Sequence, residues 1–141
     1  MRVCVVDGQG GGLGRCLVER LRPLTFDGHE VVGVGINAAA ARTMLAAGVG
    51  RVVAGEAAMR QVLPQADLIL GPLSIVFPGS MSGDVTSGMA SLVLRARAKK
   101  VLLPLNPYEV EVVGVEGRTL DTLIAGAVRR VRSVLETMPA L

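Results

Sequence analysis

The chain has no tryptophan, one tyrosine and two phenylalanines, so aromatic residues make up only 2% of it. Surfaces that stack bases need exposed rings, and this scarcity argues against a nucleic-acid partner. There is one histidine and there are two cysteines, too few for a zinc centre; Cys4 and Cys16 also stand at a spacing foreign to paired metal ligands. Both cysteines are expected as small buried residues in a reducing compartment. His29, between Gly28 and Glu30, reads as a residue of a connecting turn rather than a general base. No apolar run approaches the roughly 20 residues of a membrane span. The first apolar run, Val3 to Val6, is followed at once by Asp7, unlike a secretory leader. These absences point to a cytoplasmic protein with no membrane partner.

The charge is equally uninformative about a polyanionic partner: 15 basic residues against 12 acidic ones give +3. The basic residues gather at Arg95, Arg97, Lys99 and Lys100 and at Arg129, Arg130 and Arg132. Both groups fall near the ends of predicted helices, where the macrodipole favours cations.

What the chain does have is aliphatic bulk. Half of its 141 residues are hydrophobic, and with so few aromatics the core must be built of Val, Leu, Ile and Ala, as in a parallel sheet covered on both faces. The length suits one domain spanning residues 1–141, of Rossmann-like nucleotide-binding type. The 18 glycines cluster at element ends rather than forming a repeat.

The densest cluster is Asp7-Gly8-Gln9-Gly10-Gly11-Gly12-Leu13-Gly14. Val3 to Val6 before it reads as a short buried strand, and Leu13, Leu17, Val18 and Leu21 after it recur at helical spacing until Pro23. A glycine turn between a strand and a helix leaves backbone amides unpaired at the positive end of the helix, where a phosphate can bind. Asp7 opposes that reading, because a carboxylate beside a pyrophosphate repels it. Asp7 either accepts hydrogen bonds from the turn's own amides, or binds a divalent cation that bridges to phosphate, or marks a loop that receives no anion. Arg15 is either a compensating charge or a solvent-facing side chain.

The glycines at 8, 12 and 14 follow G-x-x-x-G-x-G, which resembles the turn of short-chain dehydrogenases and reductases. The threonine of that pattern is Asp7 here, and Tyr108 has no lysine four residues on, so the family's catalytic Tyr-x-x-x-Lys pair is missing. The chain more closely resembles a small bacterial family of uncharacterised proteins that opens with V-[IV]-D-G-Q-G-G-G-[IL]-G. That likeness extends to Gly35-Ile36-Asn37-Ala38, to Gly71-Pro72-Leu73 and to residues 98–106. It brings no activity with it.

Beyond the turn, strands are predicted at 30–35, 51–54, 67–70 and 100–105, with helices at 38–47, 56–63, 84–98 and 120–138. This alternation implies a doubly wound, mostly parallel α/β sheet of order 3-2-1-4-5. The partly alternating run from Val110 to Val115 is expected to add an antiparallel sixth strand at the edge. Ligands of such sheets settle at the carboxyl ends of the central strands, where the winding reverses. That rule adds Asn37, Gly71, Pro72, Ser74 and Asn106 to residues 8–14 and Asp7 as candidate ligand contacts. Asn37 has a second reading as the N-cap of the following helix. Asp84 is expected to cap the helix after it, and Ser80, Ser82 and Thr86 are hydroxyl donors within reach of the same rim.

Residues 73–81 are apolar for a loop: Ile75, Val76, Phe77 and Met81 must be covered by something. The loop is either a lid on the site or a contact with a second subunit, and the second is preferred here, giving a homodimer through this loop or through an edge strand. The leading functional expectation is a small phosphate-bearing ligand of nucleotide type, NAD(P) foremost, at residues 8–14. The alternatives are a non-catalytic scaffold homodimer with a vestigial site and a magnesium-assisted phosphoryl enzyme using Asp7. Of these only the last has a candidate catalytic residue, Asp7, which has no second acid next to it in sequence; Glu56 and Asp84 are the acids that could converge on it from neighbouring loops.

Overall fold

The computed structural model describes residues 1–105 and 110–138. Five strands, β1 (Arg2–Asp7), β2 (Glu30–Gly35), β3 (Arg51–Ala54), β4 (Leu68–Pro72) and β5 (Lys99–Leu103), form one sheet. Its order is β3-β2-β1-β4-β5 and every pairing is parallel. Helices α1 (Gly12–Leu21), α2 (Ala38–Ala46), α3 (Glu56–Val62), α4 (Ser87–Arg95) and α5 (Leu120–Thr137) supply the connections and the covering layers. The fold is the expected doubly wound α/β class, with the chain reversing direction across the sheet between β1 and β4.

The alternation of side chains along β1 divides the core. Val3 and Val5 face one layer with Leu17 and Leu21 of α1, Met44 of α2 and Val131 of α5. Cys4 and Val6 face the other, with Met59 and Val62 of α3 and Val93 of α4. Side chains two apart on a strand share a face, so a β-branched strand buried on both faces serves both layers at once.

Four expectations need correction. The run from Val110 to Val115 is not a strand: Gly114 takes φ of 100°, which breaks an extended path, and Val113 is 89% exposed. The sheet therefore has no antiparallel sixth strand among the described residues. Helix α4 begins later and ends earlier than its apolar spacing suggested, because Thr86, not Asp84, caps it by accepting the amide of Met89, and Ala96 is extended. Cys4 is buried as expected, but Cys16 points from α1 into solvent. Arg129, Arg130 and Arg132 lie in the middle of α5, whose last turn holds no basic residue.

The apolar loop after β4 is covered mainly by its own chain. Ile75, Met81 and Val85 join the core layer of α3 and α4, and Ser80, 1% exposed, donates its hydroxyl to the carbonyl of Ser74 at 2.6 Å. The exposed patch that favoured a subunit contact through residues 73–81 is thus largely absent: Ile75 and Met81 are buried without a partner. Among the described residues, no helix is long and apolar enough to cross a membrane.

Candidate functional site at the strand ends

Asp7 closes β1 with a carboxylate only 5% exposed. Its Oδ1 accepts the amide of Gly8 at 2.8 Å and its Oδ2 the amide of Gly14 at 2.7 Å. Gly14 is the third residue of α1. The residue at the start of that helix, Gly11, has φ of 76° and no side chain with which to cap it. Asp7 therefore does from the preceding strand what an N-cap aspartate does locally, placing an acceptor and a negative charge at the positive helix end. Of the three roles open to this carboxylate, the geometry shows the loop clamp.

The clamp divides the glycine turn into an inner and an outer part. The amide of Gly11 donates to the carbonyl of Gly8 at 2.9 Å, and that of Arg15 to the carbonyl of Gly11 at 2.8 Å. With Gly8 and Gly14 bound to Asp7, these amides are consumed internally. Those of Gly12 and Leu13 have no acceptor among the described residues. Space follows the same division. A Cβ on Gly8 would collide with Met81 Sδ and lie 3.1 Å from Ile36 Cβ, one on Gly11 would sit 2.9 Å from Ala40, and one on Gly14 2.8 Å from Met44 Sδ. At Gly10 and Gly12 it would meet nothing within 4 Å.

A cavity of about 310 Å³ opens beside this rim, lined by Asp7, Gln9, Leu13, Pro72, Ser74, Met81 and Leu105. It lies where the carboxyl ends of β1, β4 and β5 meet. Ser74 is 6% exposed; its amide donates to Leu105 at 3.1 Å and its carbonyl accepts from Ser80 and Phe77. Its hydroxyl has no partner among the described residues, although no fully enclosed side-chain polar atom is left unsatisfied among them. The free hydroxyl of a nearly buried residue therefore opens onto the cavity that Ser74 lines.

Of the residues predicted to contact a ligand, Asp7, Gln9, Leu13, Pro72 and Ser74 share this cavity, while Gly10 and Gly12, in the same turn, have open space where a Cβ would stand. Gly8, Gly11 and Gly14 are packing positions behind it. Gly71 lies beneath it, where a Cβ would strike the carbonyl of Val6, so its role is close approach of β4 to β1. Asn37 caps α2, its Oδ1 accepting the amide of Ala40 at 2.8 Å, while its Nδ2 donates to Asp84 at 3.2 Å. Asn106 lies outside the described residues. Arg15 pairs with Glu19 in solvent at 3.1 Å rather than serving Asp7. Two lining residues, Met81 and Leu105, went unpredicted; the only signal for either was its position, one in the apolar loop and the other just past Pro104.

Burial dominates the electrostatics. Desolvation pushes the Asp7 carboxyl above its ordinary value, with the amides of Gly14 and Gly8 pulling it back. Burial likewise pushes the Cys4 thiol up to about 12, which leaves it an inert core residue rather than a nucleophile. Among the described residues, no three His, Cys, Asp or Glu side chains come together in a group that could hold a metal ion.

The parallel order, the clamped glycine turn and the strand-end cavity together define a Rossmann-like α/β protein. Its overall path resembles that of a dodecameric FMN-dependent Ubix-like decarboxylase from Escherichia coli O157:H7, with a TM-score of 0.53 and 17% sequence identity over 99% of this chain and 96% of that one. At that identity the likeness is one of fold. Residues 2–136 match the model of the domain of unknown function family DUF3842, and the chain belongs to that family. No curated protein sequence matches it.

Proposed function

We propose that the protein binds a phosphate-bearing ligand of nucleotide type, its phosphate on the amides of Gly12 and Leu13 and its ring in the cavity between Leu13, Pro72, Ser74, Met81 and Leu105. One observation carries the reading: the amides of Gly12 and Leu13, which have no acceptor among the described residues, stand at the first turn of α1, beside a cavity that Leu13 itself lines. Unpaired amides and an aligned helix dipole are the usual means of holding a phosphate. The clamp eases the objection raised by Asp7: the residue lines the cavity, but each of its carboxylate oxygens accepts a backbone amide that offsets its charge.

The fold neighbour's dependence on FMN makes flavin mononucleotide a ligand to test beside NAD and NADP. Asn37 is occupied as a cap and no acid follows β2 where dinucleotide-binding sheets often hold one for the ribose, so NAD(P) gains no support beyond the turn itself. Thermal unfolding measured with each of the three ligands tests the reading. At least one is expected to raise the midpoint, and Gly12→Val is expected to abolish the rise while leaving the unliganded midpoint nearly unchanged, since its Cβ enters open space. No rise with any ligand, or a rise that survives Gly12→Val, contradicts it.

A further inference from the structure

The segment between β4 and α4 is fastened across the carboxyl end of the sheet at three successive places. At β1, Met81 presses so closely on Gly8 that a Cβ there would overlap its Sδ. Just past β2, Asp84 accepts the side-chain amide of Asn37 at 3.2 Å. Just past β3, Thr86 donates its hydroxyl to Glu56 at the start of α3. In sheet order these are the central strand and the two on one side of it. Met81 and Ser82 reach this path through φ of 57° each, a left-handed conformation that side chains seldom adopt, and Gln9 beneath them has φ of 52°.

The cavity lies on the other side of this strap. Apart from Met81, its walls come from the end of β1 with the turn and first helical residues after it (Asp7, Gln9, Leu13) and from the ends of β4 and β5: Pro72 ends β4, Ser74 follows it, and Leu105 follows β5. A dinucleotide in a doubly wound sheet straddles the reversal point with one nucleoside on each side. Here the strap occupies the β2 and β3 side, and the remaining volume of about 310 Å³ is at the lower end of the roughly 300–1,000 Å³ typical of small-molecule sites. The hydroxyl of Ser74, without a partner among the described residues, stands on the open side, so a nearly buried polar group that can serve a ligand is there as well.

We infer that residues 77–86 act as a selectivity strap that admits a mononucleotide beside β4 and β5 and shuts out the second nucleoside of a dinucleotide. Met81 is both the strap's anchor on Gly8 and one wall of the cavity, and Asp84 and Glu56 are its fastenings. The apolar flanks offered by Leu13, Pro72, Met81 and Leu105 suit a flat heteroaromatic ring, and Ser74 offers that ring or its ribityl or ribosyl chain a hydrogen bond. This inference rests on the phosphate-binding reading above and adds the size class of the ligand.

Flavin mononucleotide and flavin adenine dinucleotide share their ring and first phosphate and differ by the adenylate, so their relative affinities read the strap directly. Titration of the full chain, followed by flavin fluorescence, is expected to show the mononucleotide binding at least tenfold tighter. The double variant Asp84→Ala/Glu56→Ala releases both side-chain fastenings while Thr86 still caps α4, and it is expected to bring the ratio toward one by improving the dinucleotide. Equal affinities in the unmodified protein overturn the strap but leave the phosphate site standing. A ratio unchanged in a folded double variant also overturns it. If neither flavin binds, and AMP and NAD do not bind either, the underlying site falls with it. The ratio in the unmodified protein needs no variant, so the inference stays testable even if the double variant does not fold.

Discussion

Asp7 accepts the amide of Gly14 at 2.7 Å, a bond that ties the end of the first strand to the first turn of the helix after it. Together with the bond from Gly8 it fixes which amides of the glycine turn are used up and which face the cavity. Asp7→Asn keeps the shape but replaces one acceptor with an amino group that must confront Gly8 or Gly14. Leaving a buried donor unsatisfied costs about 1–3 kcal/mol. Urea denaturation should show a loss of that size for Asp7→Asn, and a smaller one for Asp84→Asn, whose carboxylate is exposed.

The same carboxylate gives stability a pH signature. Burial raises its folded pKa above the ordinary 3.8, with the two amides opposing. Between those values the folded chain keeps a proton that the unfolded chain has released. The contribution of Asp7 to stability must therefore fall as pH rises through that window and level off above the folded pKa. Denaturation curves taken across it, with those of Asp7→Asn subtracted, should slope downward with pH. An upward slope would mean that the amides outweigh desolvation.

Glycines of the site divide into packing and open positions, and alanine should separate them. At Gly71 a Cβ would strike the carbonyl of Val6, and at Gly35 it would strike the carbonyl of Asn37 and lie 2.7 Å from the amide of Ala41. Backbone cannot step aside as a side-chain end can, so each alanine should cost about 1–3 kcal/mol or more. Gly12→Ala meets open space without a positive φ and should change stability by no more than about 1 kcal/mol. Thermal unfolding of the three variants side by side checks the division.

Much of this architecture was legible before any coordinates, because its signals are local. Val3 to Val6 is short, β-branched and bounded by a glycine turn, and Leu17, Val18 and Leu21 keep helical spacing, so strand, turn and helix fall in place. Repetition of that unit gives the sheet order by the connection rules alone. Asn37 sat at a helix start, and capping is the role the structure shows for it. The misreadings arose where a local pattern was outweighed by backbone conformation or distant packing. Valines at 110, 112, 113 and 115 look like an edge strand, yet Gly114 turns the chain. Asp84 was a plausible cap two residues too early; Thr86 took the position and Asp84 went to Asn37. Nothing near Met81 in sequence announces that it rests on Gly8, or that Ile75 of the same loop joins the core layer of α3 and α4.

Backbone amide NMR on uniformly nitrogen-15-labelled protein, titrated with flavin mononucleotide, asks the deciding question at the atoms concerned. The largest shifts should fall on Gly10, Gly12 and Leu13, with Ser74 following across the cavity, while the amides of Gly8 and Gly14, held by Asp7, move less. Shifts confined to surfaces away from the glycine turn, or none at ligand concentrations that saturate ordinary nucleotide sites, would contradict a phosphate site at the start of α1.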